Sequence, residues 1–419
     1  MLSLAVFAVL AGHGGVAALV QPDQSKSVLN NRRDFLGNVA STTAAAVAAA
    51  SGVATGSGAI AQPAGASSTL SIADSAMKPK IKLPPIGLGC WAWGDALFWG
   101  YNPSQDNDLN EVFDYVTTQV SSPGDTSSKL PSSVLLDTAE VYGFGRSESL
   151  IGDFSKKLPS ETQERVVVAT KFAAVPFRTK PENVVKAAQG SLKRLDRPID
   201  LYQIHFPNAF ANEEYWDGLA NAYEQGFVKN VGVSNYGVDA LRACHAALAK
   251  RGVPLTSNQI QYSLLYRFPE QNGLLQACKD LDVQVLSYSP LALGLLAGKY
   301  RTAESIKQIS GPRKQLFGAT IDNPEFQRLL STMDKVAANH DGANLAQVAI
   351  NWCRAKGTIP IPGARNLRQV KSNYASLAWD LSPEEIALLD EAATYSYISP
   401  DISPFPKKDK DTGLIMFDS

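Results

Sequence analysis

Cysteine is scarce in this chain of 419 residues, which has only Cys90, Cys244, Cys278 and Cys353. None of them forms a CxxC pair or shows the spacing of metal ligands, so neither a disulfide scaffold nor a metal site is expected. An excess of one charge is also missing, because 39 basic residues face 40 acidic ones. Without a basic surface, we expect no nucleic-acid partner.

Repeated long apolar runs are absent as well, and 45% of the residues are hydrophobic while 19% are charged. This composition excludes a disordered chain, a collagen, a coiled coil and a polytopic membrane protein. At about 150 residues per domain the length suggests two or three domains, but α/β barrels exceed that size as single units.

The first 78 residues differ in composition from the rest. No charged residue lies between Phe35 and Ala73, where Ala, Ser, Thr and Gly dominate. Such a segment buries little apolar area, so we expect residues 1–78 to be a targeting leader outside the folded core. Leu2–Val20 is apolar and ends in small residues, which is typical of a secretory signal peptide.

A second signal follows within this leader. Asn31–Leu36 (NRRDFL), a run rich in alanine, and Ala59–Ala61 resemble a twin-arginine export signal with its cleavage site. Two stacked signals resemble the leaders of plastid proteins in algae with complex plastids. They predict a chloroplast location, in the stroma or the thylakoid lumen. The alternative is one membrane anchor followed by a linker. For the mature domain, no membrane partner is expected.

From about residue 80 onward, short apolar runs alternate with amphipathic stretches. The predicted strands are Ile86–Cys90, Val134–Ala139, Arg165–Lys171, Leu201–His205, Val228–Ser234, Leu255–Gln261, Val283–Ser287 and Thr358–Pro362. The predicted helices are Asp108–Thr118, Arg146–Lys157, Glu182–Leu195, Glu213–Glu224, Val238–Lys250, Gly273–Leu281 and Leu345–Lys356, with another beginning near Leu367.

This alternation admits two α/β folds, an open doubly wound sheet and a closed (β/α)8 TIM barrel. The open sheet needs G-x-G-x-x-G after its first strand, but Gly87–Gly94 (GLGCWAWG) lacks the third glycine in register. The barrel is therefore favoured, as a single catalytic domain over residues 79–400. The last residues, 401–419, are expected to form a C-terminal tail of no recognisable pattern.

Chemistry in a barrel lies where the strands end, and four polar residues fall there. Asp137 and Lys171 end strongly apolar runs, and each needs a partner because an unpaired buried charge is costly. Tyr142 follows the second strand and His205 ends the fourth. On consecutive strands, these four residues are the candidate catalytic set.

The set predicts acid–base chemistry. A phenol has a pKa of about 10, and a nearby ammonium group lowers it, so Lys171 is expected to make Tyr142 a better acid. Asp137 would hold Lys171, and His205 would orient a substrate oxygen. None of these side chains is a hydride source, so a cofactor must supply one.

Several segments, in this order along the chain, resemble the aldo-keto reductases. They are Asp137–Gly143 (DTAEVYG), Ala169–Lys171 (ATK), Asp200–His205 (DLYQIH), Gly232–Asn235 (GVSN), Asn258–Leu264 (NQIQYSL), Tyr288–Leu291 (YSPL) and Ile361–Arg365 (IPGAR). The resemblance covers about residues 80–395 and is closest to plastid and cyanobacterial-type members. It implies a barrel that binds NADPH/NADP+ and reduces a small-molecule carbonyl substrate, with Tyr142 protonating the carbonyl oxygen.

The resemblance also implies a cofactor site. Its residues are Ser234, Asn235 and Gln259 for the carboxamide, Tyr288 for the ring, Ser289, Pro290, Leu291 and Lys299 for the pyrophosphate, and Gly363, Arg365, Gln369, Ser372 and Asn373 for the adenosine 2′-phosphate. Aromatic residues are expected to form the substrate pocket, namely Trp91, Trp93, Phe172 and Phe206, with Phe98 and Trp99 beside them.

Two functions remain open at this point. One is an NADPH-dependent carbonyl reductase, and the other is an NADP(H)-binding redox sensor or regulatory subunit with slow turnover. The four polar residues fit both. The sequence fixes neither the oligomeric state nor the physiological substrate.

Overall fold

The computed structural model describes residues 79–121, 130–175, 177–208, 211–307, 309, 312–394, 407–408 and 415–416. The expected targeting leader, 1–78, and most of the expected tail, 401–419, lie outside the described residues.

Eight parallel strands pair in chain order to form the sheet. They are β1 (Gly87–Gly89), β2 (Val134–Asp137), β3 (Val166–Phe172), β4 (Leu201–Ile204), β5 (Val231–Ser234), β6 (Leu255–Gln261), β7 (Gln284–Tyr288) and β8 (Ile359–Pro360). A parallel bridge between Gly89 and Gly363 joins the two outer strands, and the Gly89 N–H donates to Pro362 O at 3.1 Å. The predicted (β/α)8 barrel is therefore confirmed.

The closure between β1 and β8 depends on a glycine. A Cβ atom added to Gly89 would lie 2.7 Å from the carbonyl oxygen of Ile361. No side chain fits at that distance, so the close approach of the two backbones requires glycine here.

Helices cover the outside of the barrel. The α-helices are α1 (Ala96–Trp99), α2 (Asp106–Thr118), α3 (Arg146–Ser155), α4 (Ser160–Glu164), α5 (Pro181–Leu195), α6 (Asn212–Glu224), α7 (Val238–Ala249), α8 (Phe268–Gln271), α9 (Leu274–Asp280), α10 (Pro312–Ile321), α11 (Pro324–Ala338), α12 (Leu345–Ala355), α13 (Leu367–Ala375) and α14 (Pro383–Ala392). Within the described ranges, no helix has the length and apolar character to cross a membrane.

Helix α5 shows how local sequence sets these bounds. It begins at Pro181, whose fixed φ suits the first turn, and Glu182 lies at the positive end of the helix dipole. Val184, Ala188 and Leu195 are buried along one face. The helix ends at Leu195, and the next residue, Asp196, adopts a left-handed conformation.

The strands are buried on both faces, and all seven residues of β3 are buried. Alternate residues point into the barrel, where an apolar cluster fills the interior. Its buried members are Leu83, Leu135, Val167, Ala169, Leu201, Leu286 and Ile361. Leu83 precedes β1, and its N–H donates to the Gln284 side chain at 2.9 Å, which closes the amino-terminal end of the barrel. Ligands therefore have access from the opposite end.

Candidate active site

A polar layer lies above the apolar filling, at the carboxyl ends of the strands. Inward positions on β3 are Val167, Ala169 and then Lys171, so the same face changes from apolar to charged at its end. On β2, Leu135 is followed two residues later by Asp137. Because side chains alternate along a strand, this spacing places both charges inside the barrel.

Asp137 and Lys171 form a buried ion pair. Lys171 Nζ lies 2.5 Å from Asp137 Oδ1 and donates to Thr138 O at 2.9 Å. The second carboxylate oxygen of Asp137 accepts from Gln259 Nε2 at 2.7 Å. Neither charge is exposed to solvent beyond a few per cent. Burial lowers the pKa of Lys171, and Asp137 partly opposes this effect.

Tyr142 lies on a tight turn, a 3-10 helix of Tyr142–Gly145. Gly143 has φ +57°, and a Cβ atom there would lie only 2.4 Å from Gly94 O, so the turn requires glycine. The turn holds the Tyr142 ring 5.1 Å from Lys171 Nζ and 5.6 Å from the His205 ring. Tyr142, Lys171 and His205 are therefore neighbours, as are Lys171 and Asp137.

The pKa of Tyr142 differs from the sequence-based expectation. Lys171 was expected to lower it, but loss of solvation raises the pKa of Tyr142 well above its ordinary value, and the Asp137 charge adds to the rise. The main reason is burial, which penalises the charged phenolate, and the nearby Asp137 carboxylate disfavours the phenolate further. At neutral pH Tyr142 therefore keeps its proton, the form that a proton donor needs.

His205 is buried, and Phe206 stacks on its ring with centroids 4.6 Å apart. Burial lowers the pKa of His205 well below its ordinary value, and Lys171 adds to the effect. The imidazole is therefore neutral. Its Nδ1 atom is buried and finds no hydrogen-bond partner among the described residues.

These residues form the floor of a cavity of about 750 Å³. Asp137, Tyr142 and His205 line it, whereas Lys171 lies beneath. All of the predicted cofactor residues line the same cavity, namely Ser234, Asn235, Gln259, Tyr288, Ser289, Pro290, Leu291, Lys299, Gly363, Arg365, Gln369, Ser372 and Asn373. The structure thus brings together side chains from β2, β5, β6 and β7 and from the segments that follow β4, β5, β7 and β8.

Only some of the predicted substrate residues lie in the cavity lining. Trp91 and Trp99 line the cavity. Trp93 and Phe172 are instead fully buried core residues, which corrects the expectation that they form its wall. Trp93 Nε1 donates to Ala364 O at 3.0 Å, and Phe172 packs edge-on against Tyr215. Phe206 also lies outside the lining, behind His205.

Polar side chains after β5 and β7 are held in fixed positions. Asn235 Nδ2 donates to His205 O at 3.1 Å, and Asn235 Oδ1 accepts from Tyr288 OH at 2.9 Å. Asn235 and Ser289 have φ +62° and +52°, left-handed conformations that are uncommon for residues other than glycine. Such strain concentrates at functional sites.

Cations line the cavity after β7 and β8. Lys299 and Arg365 were predicted, and Arg368, which the sequence analysis missed, joins them. Its position in the first turn of α13, three residues after Arg365, was the available signal, because the N-terminus of a helix favours phosphate groups. The three cations fit a ligand that carries phosphates.

Other lining residues were not predicted either. They are Gly89, Ala92, Val141, Leu293, Gly294, Ala297, Tyr300, Asn344, Ala346, Ile361 and Pro362. Most are apolar or small. Five of them, Leu293, Gly294, Ala297, Tyr300 and Asn344, lie between β7 and α12, where the sequence carries no charged or repeated pattern to mark them. No group of three His, Cys, Asp or Glu side chains arranged as metal ligands occurs in the part of the chain that is described.

The sequence profile of the aldo/keto reductase family matches residues 85–394. The chain belongs to this family of oxidoreductases. A relative is the "Pyridoxal reductase, chloroplastic" of Arabidopsis thaliana, which is 40% identical over 328 residues, covering 75% of this chain and 85% of the relative. Another is "Probable aldo-keto reductase 1" of Glycine max, which is 31% identical over 324 residues, covering 73% of this chain and 84% of the relative.

Solved aldo-keto reductases share the fold. A thermostable aldo-keto reductase crystallised with the inhibitor epalrestat is 28% identical, covers 76% of this chain and 98% of its own, and superposes with a TM-score of 0.58. An aldo/keto reductase from Klebsiella pneumoniae, crystallised with NADP and acetate, is 24% identical and covers 75% of this chain and 92% of its own, with a TM-score of 0.56.

Proposed function

We propose that this aldo-keto reductase uses NADPH to reduce an aldehyde or ketone to an alcohol, with Tyr142 as the proton donor. The observation that carries the proposal is the floor of the cavity, where protonated Tyr142 and neutral His205 lie above the buried Asp137–Lys171 pair. A substrate oxygen at this floor meets one group able to give a proton and one able to donate or accept a hydrogen bond.

The cofactor assignment is supported by the residues that line the cavity. Lys299, Arg365 and Arg368 suit the phosphates of a dinucleotide. Ser234, Asn235 and Gln259 offer amide and hydroxyl groups for a carboxamide. When bound, NADPH would supply the hydride that the carbonyl carbon receives, which no side chain of the site can do.

Each member of the floor has a separate role in this proposal. Tyr142 holds the proton and gives it to the carbonyl oxygen. Lys171 and Asp137 form an ion pair of 2.5 Å beneath the Tyr142 ring and support the ring from that side. His205, being neutral, orients the substrate oxygen by a hydrogen bond without adding a charge.

The proposed substrate class is an aromatic aldehyde, with pyridoxal as the first compound to test. Trp91 and Trp99 give the cavity an aromatic wall, and the Trp91 ring lies beside Tyr142. The Arabidopsis thaliana relative is named a pyridoxal reductase, which supports the same choice.

We also propose that residues 79–400 act as one catalytic domain, that 1–78 direct the chain to a plastid and that 401–419 form a tail. The word "chloroplastic" in the name of the Arabidopsis thaliana relative supports a plastid location. A fluorescent reporter fused to residues 1–78 tests the leader. Plastid fluorescence is expected, and a diffuse cytosolic signal would contradict it.

The function is tested by following NADPH oxidation at about 340 nm, the absorbance band of its reduced nicotinamide. The purified protein is offered pyridoxal, benzaldehyde, butanal and a ketone, and NADPH binding is titrated in parallel by fluorescence. Turnover that is fastest with the aromatic aldehydes is expected. Tight binding of NADPH without turnover would favour the redox sensor instead, and the absence of both would overturn the proposal.

A further inference from the structure

Three aromatic side chains beside Tyr142 form a contiguous group, which we call the aromatic cluster: Trp91, Phe98 and Trp99. The rings of Trp91 and Phe98 stack with centroids 4.9 Å apart and planes within 7° of parallel. Trp99 meets Trp91 edge-on at 5.5 Å. The Trp91 ring lies 6.2 Å from the Tyr142 ring, so the cluster borders the reacting centre.

One buried carboxylate holds this cluster. Asp95 is 1% exposed, and its Oδ2 atom accepts the indole N–H of Trp91 at 3.0 Å. Its Oδ1 atom accepts the backbone N–H groups of Leu97 and Phe98, each at 3.0 Å. Asp95 thus fixes both a side chain of the cluster and the backbone of α1, which carries the other two rings.

The orientation of Trp91 follows from these contacts. An indole has a single N–H donor. A hydrogen bond at that atom, together with a ring stacked on the indole, therefore restricts the side chain to one orientation. A rigid ring beside Tyr142 offers a flat surface on which a planar substrate stacks without first ordering the wall. A flexible aliphatic carbonyl gains less from such a surface.

We propose that Asp95 is a positioning residue that sets the specificity of the site for planar aromatic carbonyl compounds, by fixing the Trp91 indole against Tyr142. This inference rests on the proposed reductase function and adds a determinant of its substrate class. This positioning requires a carboxylate, because the Trp91 indole binds one oxygen atom of Asp95 and the backbone of α1 binds the other. An amide supplies one acceptor oxygen and cannot serve both the indole and the backbone of α1.

The first test compares substrates in Asp95→Asn, Trp91→Phe and the double variant, all as the full chain. Losing the charged hydrogen bond is expected to raise KM for benzaldehyde about tenfold. The KM for butanal and the Kd for NADPH should stay within about twofold. Because both single variants remove the same contact, the double variant should be no worse than the poorer single one. Equal rises in KM for both aldehydes, an unchanged KM for benzaldehyde, or additive losses would overturn the proposal.

A matched control separates positioning from general loss of stability. Ser382→Ala removes another side-chain cap, on the N–H of Glu385 at the start of α14, outside the cavity lining. It should lower stability by a similar amount, because it also removes a helix cap, and leave the ratio of the two KM values unchanged. A changed ratio in this control would contradict the assignment to Asp95.

A second readout does not need turnover. Acrylamide quenching of tryptophan fluorescence in the ligand-free protein should increase in Asp95→Asn, because the released Trp91 indole becomes more accessible. The increase should vanish when Trp91→Phe is present. An increase that persists in the Trp91→Phe background would overturn the positioning role. If the wild type reduces neither aldehyde, the reductase proposal fails, while quenching still decides whether Asp95 fixes Trp91.

Discussion

Lys171 lies with its Nζ atom 2.5 Å from Asp137 Oδ1, at the carboxyl ends of neighbouring strands and out of contact with solvent. The pair sits directly beneath Tyr142, whose ring is 5.1 Å from the same Nζ atom. Burial, together with the Asp137 charge, raises the pKa of Tyr142 and keeps the phenol protonated at neutral pH. Tyr142 is therefore in the protonated form that the proposed role as proton donor requires.

Breaking this pair should destabilise the fold. Lys171→Met leaves the Asp137 carboxylate buried without its cation, so the free energy of unfolding should fall by about 3–5 kcal/mol. Urea denaturation measures the change. The control Lys156→Met removes a lysine from an exposed surface pair with Asp153 and Asp196 and should change stability little. Similar losses in both variants would contradict the account.

Arg365 should set the preference for NADPH over NADH. Removing a charged hydrogen-bond donor to the extra phosphate in Arg365→Ala should weaken NADPH binding by about 10- to 100-fold and leave NADH binding nearly unchanged. Fluorescence titration measures both affinities. Arg328→Ala is the matched control, because Arg328 contacts Glu391 and Thr394 rather than the cavity. Equal weakening for both cofactors would argue against the phosphate contact.

Stability should depend on the protonation of His205. Its folded-state pKa is lowered, so on acidification the unfolded chain binds a proton at about pH 6.5, before the folded chain does. This contribution to stability is complete above about pH 6.5 and is lost as the pH falls below it. Relative to His205→Asn, the wild type should therefore lose about 1 kcal/mol between pH 7.5 and 5.5.

Urea denaturation at the two pH values measures this difference. His245→Asn is the comparison, since His245 on α7 is only partly buried and its pKa is lowered less by its surroundings. A smaller pH dependence is expected for that variant. A difference for His205→Asn that stays constant with pH would show that the imidazole is not buried in its neutral form.

Trp91 and Trp93 show where sequence reasoning reached its limit. Both follow β1 and were assigned to the pocket, yet Trp91 lines the cavity and Trp93 is fully buried. The chain turns between them, where the N–H of Trp93 donates to Cys90 O at 3.0 Å. This turn ends the alternation of inward and outward side chains along the strand, and no residue pattern predicts which way each indole points.

The strands and the polar floor were predictable because they depend on short-range patterns. Runs of apolar residues marked all eight strands, although the prediction for β5 began at Val228 and the strand begins at Val231. Asp137 and Lys171 stood out as charges at the ends of apolar runs. Arg368 and the residues around Tyr300 reach the cavity through the path of the chain after β7 and β8, which spacing alone did not reveal.

Several helices were left unassigned although some carry signals in the sequence. Helix α11 begins after Asn323, whose side chain accepts from the backbone N–H groups of Glu325 and Phe326, and Pro324 occupies the first turn. Helix α14 has a capping box formed by Ser382 and Glu385. Both helices follow another helix rather than a strand, so the alternation of apolar runs and amphipathic stretches does not mark them.

The central claim, that Tyr142 donates the proton, is tested most directly by the kinetics of Tyr142→Phe with an aromatic aldehyde and NADPH. The variant keeps the ring beside Lys171 and His205 and removes only the hydroxyl group. Its kcat should fall by about 10²- to 10⁴-fold, with KM and the Kd for NADPH nearly unchanged. Tyr101→Phe, whose hydroxyl contacts Asp106 and Arg146 away from the cavity, should keep its kcat. A Tyr142→Phe variant with the kcat of the wild type would contradict the account.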